Sequence, residues 1–277
     1  MQKINQKYIR STVQQALRED LKPSGDITTK NIIDQKIYAK IIANQKCIVG
    51  GLNFAEKAFK ISDKIIKFKK NTRDGREINK GKVIALINGK ASSILKSERV
   101  ALNFLGLISG VATKTNKFVK KIKGNSCKVC CTRKTLPNLR LIQKYGVMLG
   151  GGTNHRFNLS DEILIKDNHV KVHKNIKDLV ERAIKNRKGK KITVEIDNIN
   201  QLKKIIGLKF NRILFDNMDV KNIRKAVKIS KKFYETEASG GITLRNVRRI
   251  ASAGVKRVSV GEITHGAPSV DFKLDFI

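Results

Sequence analysis

Apolar positions set the first expectations. Ile9, Val13, Ala16 and Leu17 recur at helical spacing, which predicts a helix over residues 1–20. Pro23 and Gly25, in LKPSGD, forbid its continuation, and Asp26-Ile27-Thr28-Thr29 begins a second short element. From Ile37 to Val49 the pattern turns strand-like, with Ile37, Ala39 and Ile41 on one face before Gly50-Gly51 breaks it. Residues 53–60 read as a helix and Ile65 to Phe68 as a second strand, followed by a turn at Thr72 to Gly75. Val83 to Ile87 is a third strand. Asn88-Gly89 is a hairpin signal, so Ala91 to Leu95 is expected to pair back as a fourth. This region reads as a small α+β domain with an antiparallel sheet. Ser97 is placed to cap a long helix with Val100, Phe104, Leu107, Ile108 and Val111 on its apolar face. Gly106 and Gly110 weaken that helix, which runs to Gly124 and connects two domains.

After Gly124 short apolar runs alternate with amphipathic helices. The runs are Lys128–Cys131, Ile163–Ile165, Ile192–Ile196, Ile213–Phe215, Phe233–Glu237 and Val258–Val260. One intervening helix carries Ile176, Leu179, Val180, Ala183 and Ile184. Another is expected to be capped by Thr243, with Val247, Ile250 and Ala251 inward and Gly254 as its stop. Successive strand-helix units mean parallel pairing. Their number, without a dinucleotide-binding glycine fingerprint, favours a parallel α/β barrel over a Rossmann sheet.

The ends of these strands carry the candidate chemistry. They finish on Thr132-Arg133-Lys134, Lys166-Asp167-Asn168, Glu195-Ile196-Asp197, Asp216-Asn217, Glu237-Ala238-Ser239-Gly240-Gly241 and Gly261-Glu262. In a barrel the C-terminal strand ends meet at one mouth. Basic residues come from the early units, with His155-Arg156 after Gly150-Gly151-Gly152. Acidic ones, Glu195, Asp216 and Glu237, come from the later units. A carboxylate at one strand end is ordinary turn chemistry; three facing a basic cluster form an active-site candidate. Ser239-Gly240-Gly241 before a helix, completed by Val260-Gly261-Glu262, is a candidate phosphate cradle.

Composition narrows the picture. The chain has 277 residues, 40% of them hydrophobic, which is ample for a core. Its formal charge is +36, from 59 Lys+Arg against 23 Asp+Glu. Nucleic-acid binding, attraction of an anionic metabolite and a lysine-biased composition all compete to explain it. The lysines are spread over helix faces and stacking residues are scarce, with no Trp and four Tyr. Compositional bias with substrate attraction is therefore the favoured reading, without nucleic acid as partner. Cys47, Cys127, Cys130 and Cys131 have neither a second cysteine pair nor histidines at zinc-finger spacing, so no metal or redox role is expected. Free thiols fit a reducing cytoplasm. No run approaches the apolar length of a membrane span.

These residues resemble the quinolinate phosphoribosyltransferase family. The resemblance runs from Glu19-Asp20-Leu21 and Gly25-Asp26-Ile27-Thr28-Thr29 through Ser97-Glu98-Arg99, Thr132-Arg133-Lys134-Thr135, Gly150-Gly151-Gly152-Thr153-Asn154-His155-Arg156 and Lys166-Asp167-Asn168-His169. It continues through Val194-Glu195-Ile196-Asp197-Asn198, Asp216-Asn217-Met218, Glu237-Ala238-Ser239-Gly240-Gly241 and Ser259-Val260-Gly261-Glu262-Ile263-Thr264-His265. It implies an N-terminal α+β sandwich over residues 1–108, to which 266–277 return, and an incomplete parallel α/β barrel over 109–265. It implies a homodimer with Arg99 reaching the partner's site. The implied reaction joins quinolinate and phosphoribosyl pyrophosphate into nicotinate mononucleotide, CO2 and pyrophosphate, in NAD biosynthesis. Magnesium would be carried by the pyrophosphate rather than ligated directly by protein.

By motif position, the resemblance assigns quinolinate to Arg99, Thr132, Arg133, Lys134, His155, Arg156 and Lys166. It assigns catalysis to Lys134, Lys166, Glu195 and Asp216. The phosphoribosyl group goes to Glu195, Asp216, Ser239, Gly240, Gly241, Val260, Gly261 and Glu262. Glu237, Asp167, Asn168 and His169 have no assigned role, and Glu98 reads as structural. Leu136 and Asn138 interrupt a more usual Thr-Pro-Gly; Asn tolerates the left-handed conformation that Gly would supply. Two rivals remain open: a related phosphoribosyltransferase for another base, and a basic nucleic-acid-binding protein.

Overall fold

A computed structural model describes residues 4–31 and 35–277. Residues 1–3, which begin the first expected helix, lie outside that range. In chain order the elements are α1 (Gln6–Leu21), β1 (Lys36–Ala43), β2 (Cys47–Ile48), α2 (Leu52–Ser62), β3 (Lys67–Lys70), β4 (Glu77–Ile78), β5 (Val83–Lys90) and α3 (Ala91–Lys121). Then follow β6 (Lys128–Cys130), α4 (Arg140–Leu149), β7 (Ile163–Ile165), α5 (Asp167–His173), α6 (Ile176–Asn186), β8 (Ile192–Ile196), α7 (Ile199–Ile205) and β9 (Arg212–Asp216). The last are α8 (Val220–Ser230), β10 (Glu235–Ser239), α9 (Val247–Ala251), β11 (Arg257–Ser259), α10 (Glu262–His265) and β12 (Phe272–Phe276). They form two compact units. One holds Met1–Asn116, Met148–Gly151 and Ala267–Ile277; the other holds Lys117–Val147 and Gly152–Gly266.

The first unit is built on a sheet in the order β12-β1-β5-β3, antiparallel at each pairing. Helices α1 and α2 pack together, burying Ile9, Val13 and Leu17 from one and Phe54, Ala55, Ala58 and Phe59 from the other. Each such large side chain contributes roughly 1.5–3 kcal/mol by leaving water. Phe54 stacks on Phe104 of α3 at 5.2 Å between ring centroids.

Local signals were overridden here in four places. The run Ile37–Val49 divides into β1 and β2, which belong to different sheets, with residues 44–46 turning between them. The strand expected at Ile65–Phe68 begins two residues later, and Ile65 is exposed. Asn88-Gly89 makes no turn. β5 runs straight through both, paired with Tyr38 and Ile37, and Ala91–Leu95 opens α3 instead of forming a strand. Gly89 lies so near Ile66 that an added Cβ would stand 2.6 Å from its Cγ1, so close packing explains the glycine. Ser97 lies inside α3 and its hydroxyl donates to the Ser93 carbonyl at 2.7 Å, one turn back, so it caps nothing. Gly106 and Gly110 stay within one continuous helix. A Cβ would stand 2.8 Å from Val270 O at the first and 2.1 Å from Pro268 O at the second. These glycines let the C-terminal segment lie directly on the helix backbone.

The second unit is an α/β structure with a six-stranded parallel sheet, ordered β6-β11-β10-β9-β8-β7. That is the circular order of a barrel cut between its first and second strands. Among the described residues, the free edge of β6 at the cut meets only a bridge from Cys130 to Thr153. The observed strands differ from the apolar runs mostly by a residue at an end. The largest shift is Phe233–Glu237, which becomes Glu235–Ser239, with Phe233 exposed before it.

Parallel pairing in register sorts the residues into two faces. One face is apolar and buried under helices: Val129, Ile165, Val194, Ile196, Ile213, Phe215, Ala238, Val258 and Val260. The other carries Glu195, Leu214, Glu237 and Arg257 in one row, with Asp216 and Ser239 paired in the next row toward the mouth. Side-chain caps start the outer helices. Asn175 accepts from Lys177 N and Asp178 N, Asn198 from Gln201 N, and Asp219 from Asn222 N. Thr243 does not cap α9: Asn246 occupies that position, and its Oδ1 accepts from Thr243 N at 2.8 Å.

Candidate active site

The polar face of the second unit ends in two adjoining cavities. The inner one, about 100 Å³, is lined by Thr132, Arg133, His155, Arg156, Lys166 and Glu195, with Leu164, Leu214, Glu237, Ser239 and Ser259 completing it. The outer cleft, about 820 Å³, shares Thr132, Arg133, Lys166, Glu195, Ser239 and Ser259 with it. The cleft adds Lys134, Asp216, Gly240, Gly241, Gly261 and Glu262 from the expected set. Basic ends of the early strands and acidic ends of the later ones therefore face a common space.

Arg133 and Arg156 give the inner cavity its character. The Nε atoms of both are buried and have no hydrogen-bond partner. Arg156 donates through Nη1 to Glu162 O at 2.8 Å, which fixes its reach. Burial and then the neighbouring charge of Arg133 lower its pKa. Two cations held together with unsatisfied donors are a site for an anion. His155 is buried beside them. Its Nδ1 accepts from Arg156 N at 3.0 Å, so the ring proton belongs on Nε2, 3.5 Å from Glu237 Oε1.

Glu195 carries the opposite charge at the junction of the cavities. Burial foremost, with Asp216 adding to it, raises its carboxyl pKa; Lys166, 3.9 Å away, opposes the shift. Asp216 accepts from Asn217 Nδ2 at 2.7 Å. Opposite them, Gly240 and Gly241 both have positive φ, 86° and 56°. A Cβ on Gly240 would stand 2.2 Å from Asn217 Oδ1, so this backbone approach requires glycine. The five-residue α9 after this loop is too short to add a useful helix dipole, so an anion at Gly240-Gly241 would meet the backbone of the loop itself.

Beneath the cavities the sheet interior holds ions where barrels usually hold Val, Ile and Leu. Arg212 bonds Glu162 Oε1 at 2.9 Å and Glu235 Oε2 at 2.8 Å. Glu237, wholly buried, takes a hydrogen bond from Ser259 and faces Arg212 Nε and Arg257 Nε, each at 3.5 Å. Burial would raise the Glu237 pKa, but His155, Arg257 and Ser259 outweigh it and hold the carboxyl low.

Two expected residues lie elsewhere. Val260 is on the opposite, apolar face, and its N–H donates to Cys130 O, so it reaches neither cavity with its side chain. Arg99 is exposed on α3 of the first unit, and the cavities are lined only from the second. Of the residues without an assigned role, Asp167 lines the cleft and pairs with Lys171 at 2.9 Å. His169 accepts from Lys166 N at 2.9 Å, which starts α5, and Asn168 is exposed. Ser259, Leu214, the buried Arg212 and the half-buried Arg257 were missed. Counting back by twos from Asp216 finds Leu214 and Arg212, and the register sets Arg257 beside Glu237 with Ser259 two residues on.

The comparisons with known proteins agree over both units. The family model for the quinolinate phosphoribosyl transferase N-terminal domain matches residues 26–109, and that for the C-terminal domain matches 111–275. A probable nicotinate-nucleotide pyrophosphorylase (carboxylating) of Methanocaldococcus jannaschii is 41% identical, covering 91% of this chain and 92% of its own. One of Bacillus subtilis is 37% identical, covering 91% and 88%. The solved nicotinate-nucleotide pyrophosphorylase of Francisella tularensis superposes with a TM-score of 0.95 at 35% identity, covering 99% of this chain and 98% of its own. On these matches, over a fold that carries the expected residues at its strand ends, the chain belongs to the quinolinate phosphoribosyltransferase family.

Proposed function

We propose that this chain transfers the phosphoribosyl group of phosphoribosyl pyrophosphate to quinolinate with loss of CO2, giving nicotinate mononucleotide and pyrophosphate. The observation that carries the reading is the pair of buried, unpartnered guanidinium nitrogens of Arg133 and Arg156 beside the carboxylates Glu195 and Asp216. Quinolinate has two adjacent carboxylates, and each guanidinium can grip one in fork geometry. A mono-acid base would leave one cation unanswered, which disfavours the nearest rival. Thr132, Lys134, His155 and Lys166 complete the quinolinate side of the site. Ser239, Gly240, Gly241, Gly261 and Glu262 form the phosphoribosyl side.

Two steps follow. As the C1′–O bond to pyrophosphate breaks, positive charge grows on the ribose, and Glu195 and Asp216 stabilise it across a partly dry cleft. Lys134 and Lys166 receive the charge of the departing group. The pyridine nitrogen, held by the arginines, forms the new bond to C1′ from the opposite face. The ring is then cationic. The bond between ring carbon and the carboxylate next to nitrogen breaks, CO2 leaves, and the electron pair left on that carbon takes a proton from water.

Among the described residues no group of three His, Cys, Asp or Glu side chains could hold a metal ion. Two carboxylates on adjacent strands do fit Mg2+ carried in on a diphosphate, because that ion is commonly held by one or two carboxylates plus substrate phosphates. Glu195 and Asp216 would face it, and it would supply charge neutralisation to the leaving pyrophosphate. We further propose a homodimer in which the exposed Arg99 serves the partner's quinolinate pocket. A cytoplasmic setting is supported by four free cysteines. Calorimetry tests the site: quinolinate should bind the wild type, and Arg133→Ala should lose quinolinate far more than the phosphoribosyl donor. Unchanged quinolinate affinity in that variant would remove the assignment.

A further inference from the structure

Lys144, in the middle of α4, is wholly buried. Its three N–H bonds have three acceptors: His155 O at 2.6 Å, Arg156 O at 3.1 Å and Cys131 Sγ at 3.3 Å. The ammonium also lies 4.7 Å from the centre of the Phe157 ring. Among the described residues no carboxylate lies within ion-pair distance of it. Burying an ammonium without a counter-ion is costly, and a methionine of similar length would pack there without that penalty. A lysine here therefore needs a reason beyond filling space.

The partners supply one. His155 and Arg156 are consecutive, so one ammonium clasps two adjacent peptide carbonyls and fixes both peptide planes. Cys131 immediately precedes Thr132-Arg133. Its thiol donates onward to Asn154 Oδ1 at 3.3 Å, and Asn154 Nδ2 donates to Lys144 O at 3.3 Å, which closes the ring of contacts. Lys144 thus joins the two segments that present Arg133 and Arg156, across the cut in the barrel where strand pairing is missing. The resulting network holds the Arg156 backbone directly and Cys131, two residues before Arg133, and no bond in it reaches the glycine loop at Ser239-Gly240-Gly241.

We infer that Lys144 is a positioning residue of the diacid pocket, holding the His155-Arg156 turn against the end of β6 so that both arginines meet one ligand. This inference rests on the function proposed above. It predicts a split between the two substrates. Lys144→Met should raise the quinolinate Kd and KM about tenfold or more, since charge-assisted bonds to two carbonyls are lost. The KM for phosphoribosyl pyrophosphate should stay within about threefold. Lys144→Gln keeps two N–H donors, one bond short of the lysine's reach, and should restore part of the quinolinate affinity. Calorimetry with quinolinate alone, then steady-state kinetics with each substrate varied, reads both effects. Absence of quinolinate binding in the wild type would count against the proposed function itself. Wild-type binding with unchanged quinolinate affinity in Lys144→Met would overturn this inference alone. So would equal losses for both substrates, or loss of folding in both variants, because the lysine would then hold the fold and not the pocket.

Discussion

Glu237→Gln probes the ionic interior that supports the pocket. Glu237 is fully buried, and its carboxylate faces Arg212 Nε and Arg257 Nε at 3.5 Å each, with His155 Nε2 also at 3.5 Å. Removing one partner of a buried pair generally costs about 3–5 kcal/mol. Arg212 keeps Glu162 and Glu235, and Arg257 keeps Glu235 at 3.8 Å, so the low end applies, about 3 kcal/mol. At about 2–4 °C per kcal/mol for domains of this size, Tm at pH 7 should fall by roughly 6–12 °C. The pH dependence has a definite sign. The folded Glu237 carboxyl lies below its ordinary 4.5, so its stabilisation is present above that value and is lost as pH falls through the lower folded value. The Tm gap between wild type and variant should therefore persist at neutral pH and close in acid. Differential scanning calorimetry across a pH series measures both. A neutral-pH shift under about 2 °C, or a gap that widens in acid, would refute the ion network as a source of stability.

Three further outcomes are expected. Gly240→Ala would place a Cβ 2.2 Å from Asn217 Oδ1 at a residue with φ 86°. It should raise the KM for phosphoribosyl pyrophosphate about tenfold or more while calorimetry finds quinolinate binding nearly unchanged, because strain and clash stay in the cradle. Gly110→Ala would set a Cβ 2.1 Å from Pro268 O. It should lower stability by about 1–3 kcal/mol in urea unfolding, with the loss assigned to the first unit by limited proteolysis. The formal charge of +36 should steer both anionic substrates, so kcat/KM is expected to fall as salt rises while kcat holds, read from initial rates over an ionic-strength series.

Much of the second unit was legible because its signals are local. An apolar run between turn residues and amphipathic helices marks a buried parallel strand, and a strand end marks the mouth. Arg133, Lys166, Glu195 and Asp216 could be named from that rule alone. Asn138, offered in place of a usual glycine, does take the left-handed conformation, with φ 61°. The errors came where distant parts of the chain decide the outcome. Asn88-Gly89 has hairpin chemistry, yet β5 continues because its glycine is wanted by Ile66 and its neighbour pairs with Tyr38. Ser97 and Thr243 have capping chemistry, but a helix begins where tertiary packing lets it begin. Val260 was assigned by motif membership, and the period of two turns its side chain to the opposite face. Lys144, Arg212 and Arg257 were invisible in a chain with so many cations, since nothing local separates a buried lysine from a solvated one. Their meaning depends on register and on the open side of the barrel.

The account stands or falls on whether the basic and acidic strand ends serve one reaction. Quinolinate labelled at the carboxylate next to the ring nitrogen, incubated with the purified chain and magnesium, measures this through released labelled CO2. Release is predicted only when phosphoribosyl pyrophosphate is present, in step with nicotinate mononucleotide, and it should disappear in Arg133→Ala and in Glu195→Gln. Label released without the phosphoribosyl donor, or none released with both substrates at saturating concentration, would contradict the account.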